Sequence, residues 1–462
     1  MVLFTRFSAS NCRKELLCPA NNVTRNLLSG PVFAWFFLQL IGKVFRMSIL
    51  IKQVELNGAP VDVFISGSHI KTIGDCPDQQ AEIVLDGRNK AILPTFHNAH
   101  THAAMAYMRS YADDLELFTW LNDHVWPFES KVTEKDVYDG ARLACLEMIK
   151  SGTTFFNDMY WFWHGTARAV DEMGLRAALS AVFIDFDDPA KAEEQIAQNQ
   201  RLFKDRTQYS DRIIFQLGPH AIYTVSEKSL RWCADFAAEH NLMIHIHLSE
   251  TEKEVTDCVA KHGMRPPAWL DSIGFLGPNV TAAHCIWLEQ SEMKLLADRG
   301  VKALHCPTSN MKLASGKFRF TDAVNAGIQV AIGTDGAASN NCLDMGAEIK
   351  MAALLEKHFT GDTTTLNAQT AWHAGTRAAA EMFGLNSGII VEGALADCML
   401  VDLNNERLAP GHHLIADMVY SADASCIDTV ICDGKILMQN RRVPGEEEII
   451  AKGRAFKEKF RR

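Results

Sequence analysis

Residues 92–102 read ILPTFHNAHTH, an apolar run that stops at Pro94 and is followed by three histidines within six positions. Short apolar runs bounded by turn residues are typical of buried strands, so we predict a strand over residues 91–96. Side chains alternate along an extended chain, which places His100 and His102 on one face just beyond this strand. The stretch therefore predicts a buried strand with histidine side chains clustered at its C-terminal end.

Seven further apolar runs follow along the chain. We predict strands over residues 153–158, 176–184, 212–219, 242–249, 279–285, 301–306 and 329–335. Between most of them lie stretches with a 3.6-residue apolar period that close on Gly or Asn, such as residues 134–152 and 227–241. Eight strands that alternate with helices predict an α/β fold, a (β/α)8 barrel of the TIM type. A doubly wound sheet is the alternative, but no G-x-G-x-x-G follows the first strand.

The two ends of the chain show a different pattern. Residues 47–92 and 388–445 contain short β runs separated by turn residues, and their similar style indicates that they fold together. We predict a small β-sandwich domain built from both segments, a catalytic barrel over residues 93–387, and a C-terminal helix over residues 446–462.

Residues 1–46 contain an apolar run at 32–41, "VFAWFFLQLI". This run is shorter than the roughly 20 apolar residues that span a bilayer, and no small-residue cleavage site follows it. We interpret residues 1–46 as a disordered extension or a mis-called start, with a signal-peptide core or a membrane anchor as the alternatives.

The bulk composition of the 462 residues is that of an ordinary globular protein, with 47% hydrophobic and 22% charged residues. The net charge of -10 argues against a general surface for nucleic acid or anionic membranes, since both would be repelled. The twelve cysteines are scattered and form no C-x-x-C pair, which indicates reduced thiols. We expect a cytoplasmic enzyme with a small-molecule substrate and leave a homo-oligomer open.

Histidines and carboxylates stand at the ends of four predicted strands, where barrels of this type carry functional residues. These candidates are His100, His102, His247, Glu250, His284 and Asp335. Each alone could be a core or turn residue, and we interpret His245 and His305 as structural. Together at one mouth, the imidazoles and carboxylates predict a divalent metal site, such as one for Zn²⁺, with a position left for water.

The motifs HTH (100–102), HIHLSE (245–250), AAHC (282–285), HCPTSNMKLASG (305–316) and GTDGAASNN (333–341) resemble the amidohydrolase superfamily. Within it, they resemble the 5-methylthioadenosine/S-adenosylhomocysteine deaminases and the related chlorohydrolases. The resemblance implies one metal ion, usually zinc, bound by His100, His102, His247 and Asp335. It also implies that no carbamylated lysine bridges two metals, and no evident lysine ends the third or fourth predicted strand.

The chemistry follows from these parts. A bound divalent metal makes hydroxide available near pH 7. Asp335 can accept the proton of the water, and His284 can orient the hydroxide by a hydrogen bond. Glu250 can protonate a ring nitrogen and then the leaving amine. The resemblance further implies that Glu129 accepts from ribose hydroxyls and that His220 contacts the substrate, although Glu129 could instead be a solvated loop charge.

The resemblance implies an aminohydrolase acting on C–N bonds in cyclic amidines, with 6-aminopurine nucleosides as substrates. The candidates are 5′-methylthioadenosine, S-adenosylhomocysteine, 5′-deoxyadenosine and adenosine. Residues 185–195 are acidic and contain only Lys191, so we expect S-adenosylhomocysteine, with its free carboxylate, to be the poorer substrate. The alternatives are an aminohydrolase or chlorohydrolase acting on 8-oxoguanine, a triazine-like or a pterin ring, and a non-catalytic scaffold. The aromatic residues around Glu129, including Trp120 and Trp126, could serve as packing or as a stacking surface.

Overall fold

The computed structural model describes residues 47–77 and 79–459. From Ser48 onward the chain forms one compact unit, so the predicted division into domains at residues 92 and 388 stays a prediction. The predicted extension, residues 1–46, lies outside the described residues. Within the described ranges, no helix has the length and apolar character needed to cross a membrane.

The strands fall into three successive groups along the chain. The first group is β1 (Ser48–Leu56), β2 (Ala59–Ser66), β3 (His69–Gly74), β4 (Ile83–Asp86) and β5 (Lys90–Pro94). The second group is β6 (Phe96–Thr101), β7 (Thr153–Tyr160), β8 (Arg176–Phe183), β9 (Ile213–Pro219), β10 (Ile244–Leu248), β11 (Val280–His284), β12 (Lys302–His305) and β13 (Val330–Ile332). The third group is β14 (Cys398–Asp402), β15 (Ile427–Cys432) and β16 (Lys435–Met438).

The second group forms the barrel. Strands β6 to β13 pair in parallel and in chain order. The two ends of this sheet meet where the Asp335 N–H donates to the His100 carbonyl at 2.9 Å. The predicted (β/α)8 barrel is confirmed, because helices connect these strands and cover the outside.

The α-helices of the described residues fall mainly between the barrel strands. They are α1 (Leu117–Trp120), α2 (Trp126–Glu129), α3 (Glu134–Lys150), α4 (Trp163–Met173), α5 (Pro189–Asp205), α6 (Glu227–His240), α7 (Glu252–His262), α8 (Pro266–Ser272), α9 (Gln290–Asp298), α10 (Pro307–Lys312), α11 (Phe320–Asn325), α12 (Met345–Thr360), α13 (Ala368–Gly375), α14 (Arg377–Met382), α15 (Leu414–Tyr420) and α16 (Glu446–Lys459). Short 3₁₀ helices span Ala103–Met108, Arg206–Gln208, Glu406–Leu408 and Ala424–Cys426, and a π-helical turn spans Leu121–Val125.

Two of the predicted helices show how local sequence fixes their ends. Helix α3 begins at a capping box in which the Thr133 N–H donates to Asp136 Oδ2 at 2.9 Å. Helix α6 begins after Ser226 and ends at Asn241, whose φ of 53° gives the left-handed conformation that Asn tolerates. The helical stretches predicted at 134–152 and 227–241 are therefore confirmed.

The first and third groups of strands join in one mixed sheet. Its order is β16-β15-β14-β5-β1-β2-β3, with β4 beside β1. The apolar face of this sheet buries Ile49, Val63, Ile92, Leu400 and Ile431, among others. The prediction that both ends of the chain fold together is confirmed, but their strands form one continuous mixed sheet and not a sandwich of two sheets.

The predicted first strand, residues 91–96, was wrong as a single barrel strand. Residues Lys90–Pro94 form β5, which pairs antiparallel with β14 in the mixed sheet. The Thr95 N–H still donates toward that sheet, to Asp397 O at 3.4 Å, whereas the Phe96 N–H donates to Gly152 O of the barrel at 2.9 Å. The chain therefore changes sheets between Thr95 and Phe96.

Candidate metal centre and active site

The residues predicted to be functional lie at the C-terminal ends of the barrel strands. His100 lies in β6 and His102 directly follows it, while His247 lies in β10 and His284 ends β11. Asp335 comes three residues after β13. Parallel strands of a barrel end at one rim, so these side chains converge at the same mouth.

Four donor groups lie close enough together to share one ion. His100 Nε2 and His102 Nε2 lie 3.5 and 3.4 Å from Asp335 Oδ1. His247 Nε2 lies 3.3 Å from His102 Nε2. His100 Nε2 is buried and has no hydrogen-bond partner among the described residues, which is costly for a polar atom unless a ligand occupies the site. The set of imidazole nitrogens and a carboxylate oxygen fits a divalent metal.

The other ring nitrogens of two of these histidines are fixed by main-chain carbonyls. The His102 Nδ1–H donates to Met159 O at 2.6 Å, and the His247 Nδ1–H donates to His220 O at 2.7 Å. Such bonds select the tautomer in which Nε2 is unprotonated, and they hold the ring in place. Both imidazoles are therefore oriented to offer Nε2 as a metal donor.

Asp335 reaches the histidines because the last strand approaches the first very closely. A Cβ atom on Gly333 would lie 2.5 Å from His100 N, and one on Gly336 would lie 3.1 Å from His102 Cβ. Asp335 itself adopts a left-handed φ of 61°, which costs free energy and persists only where the surroundings impose it. The two glycines thus permit the contact between strands that brings Asp335 to the donors.

The second carboxylate oxygen of Asp335 is held on the opposite side. Oδ2 accepts hydrogen bonds from Ser309 Oγ at 2.6 Å and from Ser339 Oγ at 3.1 Å. These bonds leave Oδ1 to face His100 and His102. Both serines belong to the quoted motifs, but we assigned them no role from the sequence.

Burial sets the ionisation of these donors. It lowers the pKa of His100 to about 4 and that of His247 well below its ordinary value, so both imidazoles are neutral near pH 7. Burial alone would raise the pKa of Asp335, but contact with the His100 imidazole holds that pKa well below its usual range. Neutral imidazoles and an ionised carboxylate are the forms that bind a metal.

His284 differs from the other imidazoles. Its Nδ1–H donates to Asn310 Oδ1 at 2.8 Å, and its Nε2 lies 3.8 Å from Glu250 Oε2. Burial would lower the pKa of His284, but the nearby carboxylates, Glu250 first, raise it above its ordinary value. His284 also belongs to a set with His100 and His247 whose donor atoms lie within 4.8 Å of one another. The raised pKa favours the protonated ring more than in an ordinary histidine, whereas a metal ligand must be neutral.

Glu250 is buried in the loop after β10. Its Oε1 accepts a hydrogen bond from Ser315 Oγ at 3.3 Å. Burial raises the pKa of this carboxyl above its ordinary value. A carboxyl group with a raised pKa can carry a proton closer to neutral pH, as a general acid requires.

One cavity, open to solvent at its mouth, joins several of these groups to the residues predicted to bind substrate. Its lining includes Glu129, His220, Glu250, His284 and Asp335. The walls toward the mouth are mostly apolar and include Trp120 and Trp126, while no Lys or Arg lines the described cavity. Apolar walls with a few convergent polar groups suit a small organic molecule.

Glu129 and His220 have defined partners in this cavity. Glu129 Oε2 accepts a hydrogen bond from Trp161 Nε1 at 3.0 Å, and burial raises the pKa of this carboxyl although the residue as a whole is half-buried. The His220 Nδ1–H donates to Thr224 Oγ1 at 2.9 Å, which leaves Nε2 as an acceptor. The alternative of a solvated loop charge does not describe Glu129.

The acidic loop after β8 was expected to present carboxylates near the substrate, but the structure shows other contacts. The carboxylate of Asp185 accepts hydrogen bonds from the hydroxyls of Ser226 and Ser229 at 2.7 and 2.6 Å. The ring of Phe186, half exposed, lies 5.6 Å from the ring of Trp126 at the cavity wall. Near the cavity, this loop therefore contributes an aromatic contact.

Sequence reasoning missed several partners of the candidate residues. His245 Nε2 lies 2.8 Å from His100 Nδ1, so a histidine interpreted as structural orients a candidate ligand. It lies two residues before His247 on the same face of β10, and this spacing could have identified it. The contact of Trp161 with Glu129 had no comparable sequence pattern, because the two residues meet only through the fold.

Comparisons with known proteins agree with this geometry. The sequence profile of the amidohydrolase family matches residues 91–437. A 5′-deoxyadenosine deaminase of Methanoregula boonei is 46% identical over 413 residues, which cover 87% of this chain and 93% of the relative. A 5-methylthioadenosine/S-adenosylhomocysteine deaminase of Archaeoglobus fulgidus is 46% identical over 83% of this chain and 90% of its own length.

Among solved structures, an adenosine deaminase of Xanthomonas campestris with bound zinc superimposes with a TM-score of 0.84. It is 33% identical, and the match covers 90% of this chain and 98% of that structure. Family profile, relatives and solved structure all span the barrel that carries the clustered donors. This chain belongs to the amidohydrolase family.

Proposed function

We propose that this chain is a zinc-dependent enzyme that hydrolyses the amino group of 6-aminopurine nucleosides and releases ammonia. The observation that carries the proposal is one cavity that joins three of the four clustered donors, His102, His247 and Asp335, to Glu250 and Glu129. Two relatives that are 46% identical are named as deaminases of adenosine derivatives, which supports the same substrate class.

We propose that His100, His102, His247 and Asp335 bind one Zn²⁺ ion. Nitrogen and oxygen ligands that lie about 2.0–2.2 Å from one zinc ion can be at most about 4.4 Å apart. The donor pairs described above lie 3.3, 3.4 and 3.5 Å apart. Such an ion, when bound, makes hydroxide available near neutral pH.

In this proposal, Asp335 and Glu250 transfer the protons and His284 positions the attacking oxygen. Asp335, ionised in the cavity, accepts the proton of the attacking water. His284, whose ring Asn310 holds, keeps the attacking oxygen in line with the ring carbon. Glu250 protonates the neighbouring ring nitrogen, regains the proton that Asp335 took from the water, and passes it to the amino group, which leaves as ammonia. The proton of the new hydroxyl group returns to Glu250 as the ring carbon becomes a carbonyl. Water adds once and ammonia leaves once, so atoms and charge balance.

The ribose is recognised by Glu129 in this proposal. Its Oε2 already accepts one hydrogen bond from Trp161, and the free lone pairs can accept from the 2′- and 3′-hydroxyls. A buried carboxylate left without these partners is penalised, so analogues without hydroxyls should be rejected. His220 offers an acceptor nitrogen on the same wall of the cavity.

The apolar walls at the cavity mouth favour a small or apolar 5′ group. No Lys or Arg lines the described cavity, and Lys191 lies 5.7 Å above the ring of Phe186 rather than on the cavity wall. A free carboxylate would therefore find no cation to offset its desolvation. We expect 5′-deoxyadenosine, 5′-methylthioadenosine and adenosine to be better substrates than S-adenosylhomocysteine.

An ammonia-release assay on a panel of compounds tests this proposal. The panel contains the four nucleosides, 2′,3′-dideoxyadenosine, guanine, 8-oxoguanine and a chlorotriazine. We expect turnover of the nucleosides, with S-adenosylhomocysteine and the dideoxy compound the poorer ones. Turnover of a free base or the triazine without turnover of any nucleoside would refute the proposed substrate class.

A further inference from the structure

Glu254 is a buried carboxyl group to which the proposed chemistry assigns no role. It lies in the first turn of α7 and is 2% exposed. No Lys or Arg of the described residues forms an ion pair with it, and burial raises its pKa to about 7. Burying an ionised carboxylate without a cation costs folding free energy, so a buried glutamate at this position suggests a specific role.

The hydrogen bonds of Glu254 connect it to the main chain of the candidate general acid. Its Oε1 accepts from the Ser249 N–H at 2.8 Å, and its Oε2 accepts from the Glu250 N–H at 2.9 Å. Ser249 adopts a left-handed φ of 51°, which turns the chain out of β10. Both N–H groups of this turn are thus held by one side chain.

A second helix of the barrel shows what helix capping alone requires. Glu292 occupies the third position of α9, and its Oε2 accepts from the N–H of the capping residue Glu289 at 2.7 Å. In α7 the capping residue is Thr251, whose hydroxyl accepts from the Glu254 N–H at 3.1 Å. The Glu254 carboxylate does not bond to the N–H of Thr251. It accepts instead from the N–H groups of Ser249 and Glu250, an arrangement that an ordinary capping box does not need.

We propose that Glu254 is a positioning residue that holds the main chain of Glu250 so that its carboxyl group points into the cavity. The side chain of Glu250 lies between Ser315 Oγ at 3.3 Å and His284 Nε2 at 3.8 Å, so a small rotation of its backbone breaks both relations. General acids lose much of their effect when displaced by about 1 Å. This inference rests on the proposed role of Glu250 as proton donor.

The substitution Glu254→Gln tests the proposal with almost no change in shape. An amide NH₂ cannot accept a hydrogen bond, so one of the two main-chain N–H groups loses its partner. We expect kcat to fall about 10–100-fold, the usual scale for residues that orient catalytic groups, with KM and metal content unchanged. Glu292→Gln is the control, a buried glutamate at the third position of α9 that pairs with Arg265 at 3.0 Å, and its kcat should stay near that of the wild type.

A double-mutant cycle separates positioning from a purely structural role. If Glu254 acts through Glu250, then adding Glu254→Gln to Glu250→Gln should lower kcat by less than about threefold further. A full and additive decrease in both backgrounds would overturn the inference, and so would a Glu254→Gln variant as active as Glu292→Gln. Should Glu254→Gln fail to fold, Glu254→Asp takes its place, and undiminished kcat in that shorter variant would also overturn it.

The two proposals fail in different ways. Absence of nucleoside deamination by the wild-type protein would refute the proposed function itself. An active wild type whose Glu254 and Glu292 variants behave alike would refute only the positioning role.

Discussion

At the scale of single residues, two glutamates of the cavity, Glu250 and Glu129, have different surroundings. Glu250 forms hydrogen bonds with Ser315 and Glu254, neither of which is a clustered donor, and its raised pKa lets it carry a proton closer to neutral pH. Glu129 lies on the same cavity wall as Trp161. Changes at these two glutamates should therefore affect different kinetic parameters.

Glu250→Gln should retain the metal but lose proton transfer. We expect kcat to fall by about 10²–10⁴-fold, the usual scale for general acid–base catalysis, because an amide cannot donate the proton. Metal content from elemental analysis and steady-state kinetics give the two readouts. Wild-type turnover in this variant would remove Glu250 from the mechanism.

Glu129→Gln should weaken discrimination at the ribose. The amide keeps one acceptor oxygen but loses the charge, so kcat/KM for adenosine should fall by about tenfold or more, as for loss of a charge-assisted hydrogen bond. The value for 2′,3′-dideoxyadenosine should hardly change, because it has no hydroxyls to lose. Equal losses for both substrates would show that Glu129 does not contact the ribose.

At this scale, the sequence predicted the candidate metal ligands better than the residues that hold them in place. His100, His102, His247 and Asp335 were predicted as a cluster because strand ends share one rim, and the structure places them within reach of one another. Ser309 and Trp161 could not be assigned, because they lie 26 and 32 positions from their partners and meet them only through the fold. Ser339 lies four positions from Asp335, and this spacing could have identified it.

At the scale of elements, the contact between β6 and β13 closes the barrel and forms the donor cluster at once. The Asp335 N–H bonds to His100 O across this contact, and Gly333 provides the space. The residues 91–96 were misread here, since the apolar run gives no sign that neighbouring residues pair with different sheets. The change of sheet is seen only in the hydrogen bonds, since Thr95 bonds toward the mixed sheet and Phe96 bonds to the barrel.

Gly333→Ala should push β13 away from β6. The new methyl group would meet His100 N at 2.5 Å and His100 O at 2.9 Å, and main-chain atoms cannot move aside as a flexible side chain would. We expect a loss of at least about 1–3 kcal/mol in stability, as for overpacking, together with weaker metal retention during dialysis against a chelator. Gly453→Ala is the control, because its nearest neighbour is the side-chain end of Leu143 at 3.1 Å. Unchanged metal retention in Gly333→Ala would contradict the role given to this contact.

At the scale of the whole molecule, buried ion pairs join the barrel to the mixed sheet. Arg176 of β8 donates to Asp397 Oδ2 at 2.9 Å and to Asp433 Oδ1 at 2.7 Å. The pairing could not be predicted, because these residues are more than 200 positions apart, 221 and 257 in sequence. The two chain ends were nevertheless recognised as one β unit from their common turn pattern.

Arg176→Ala should destabilise the entire chain. It leaves the buried carboxylate of Asp397 without its cation, and breaking such a pair typically costs about 3–5 kcal/mol. Arg88→Ala, which removes the exposed pair with Asp86, is the control and should change the unfolding midpoint little. Thermal and urea unfolding provide the comparison, and equal midpoints for the two variants would show that the buried pair does not join the two parts.

The most direct measurement is turnover of 5′-deoxyadenosine in ¹⁸O-labelled water by chelator-treated protein before and after zinc is added. We predict no ammonia without metal. With zinc, we predict one ammonia for each product molecule and one labelled oxygen on the purine carbon that carried the amino group. Ammonia release by the metal-free protein, or a product without solvent oxygen, would contradict metal-dependent hydrolytic deamination.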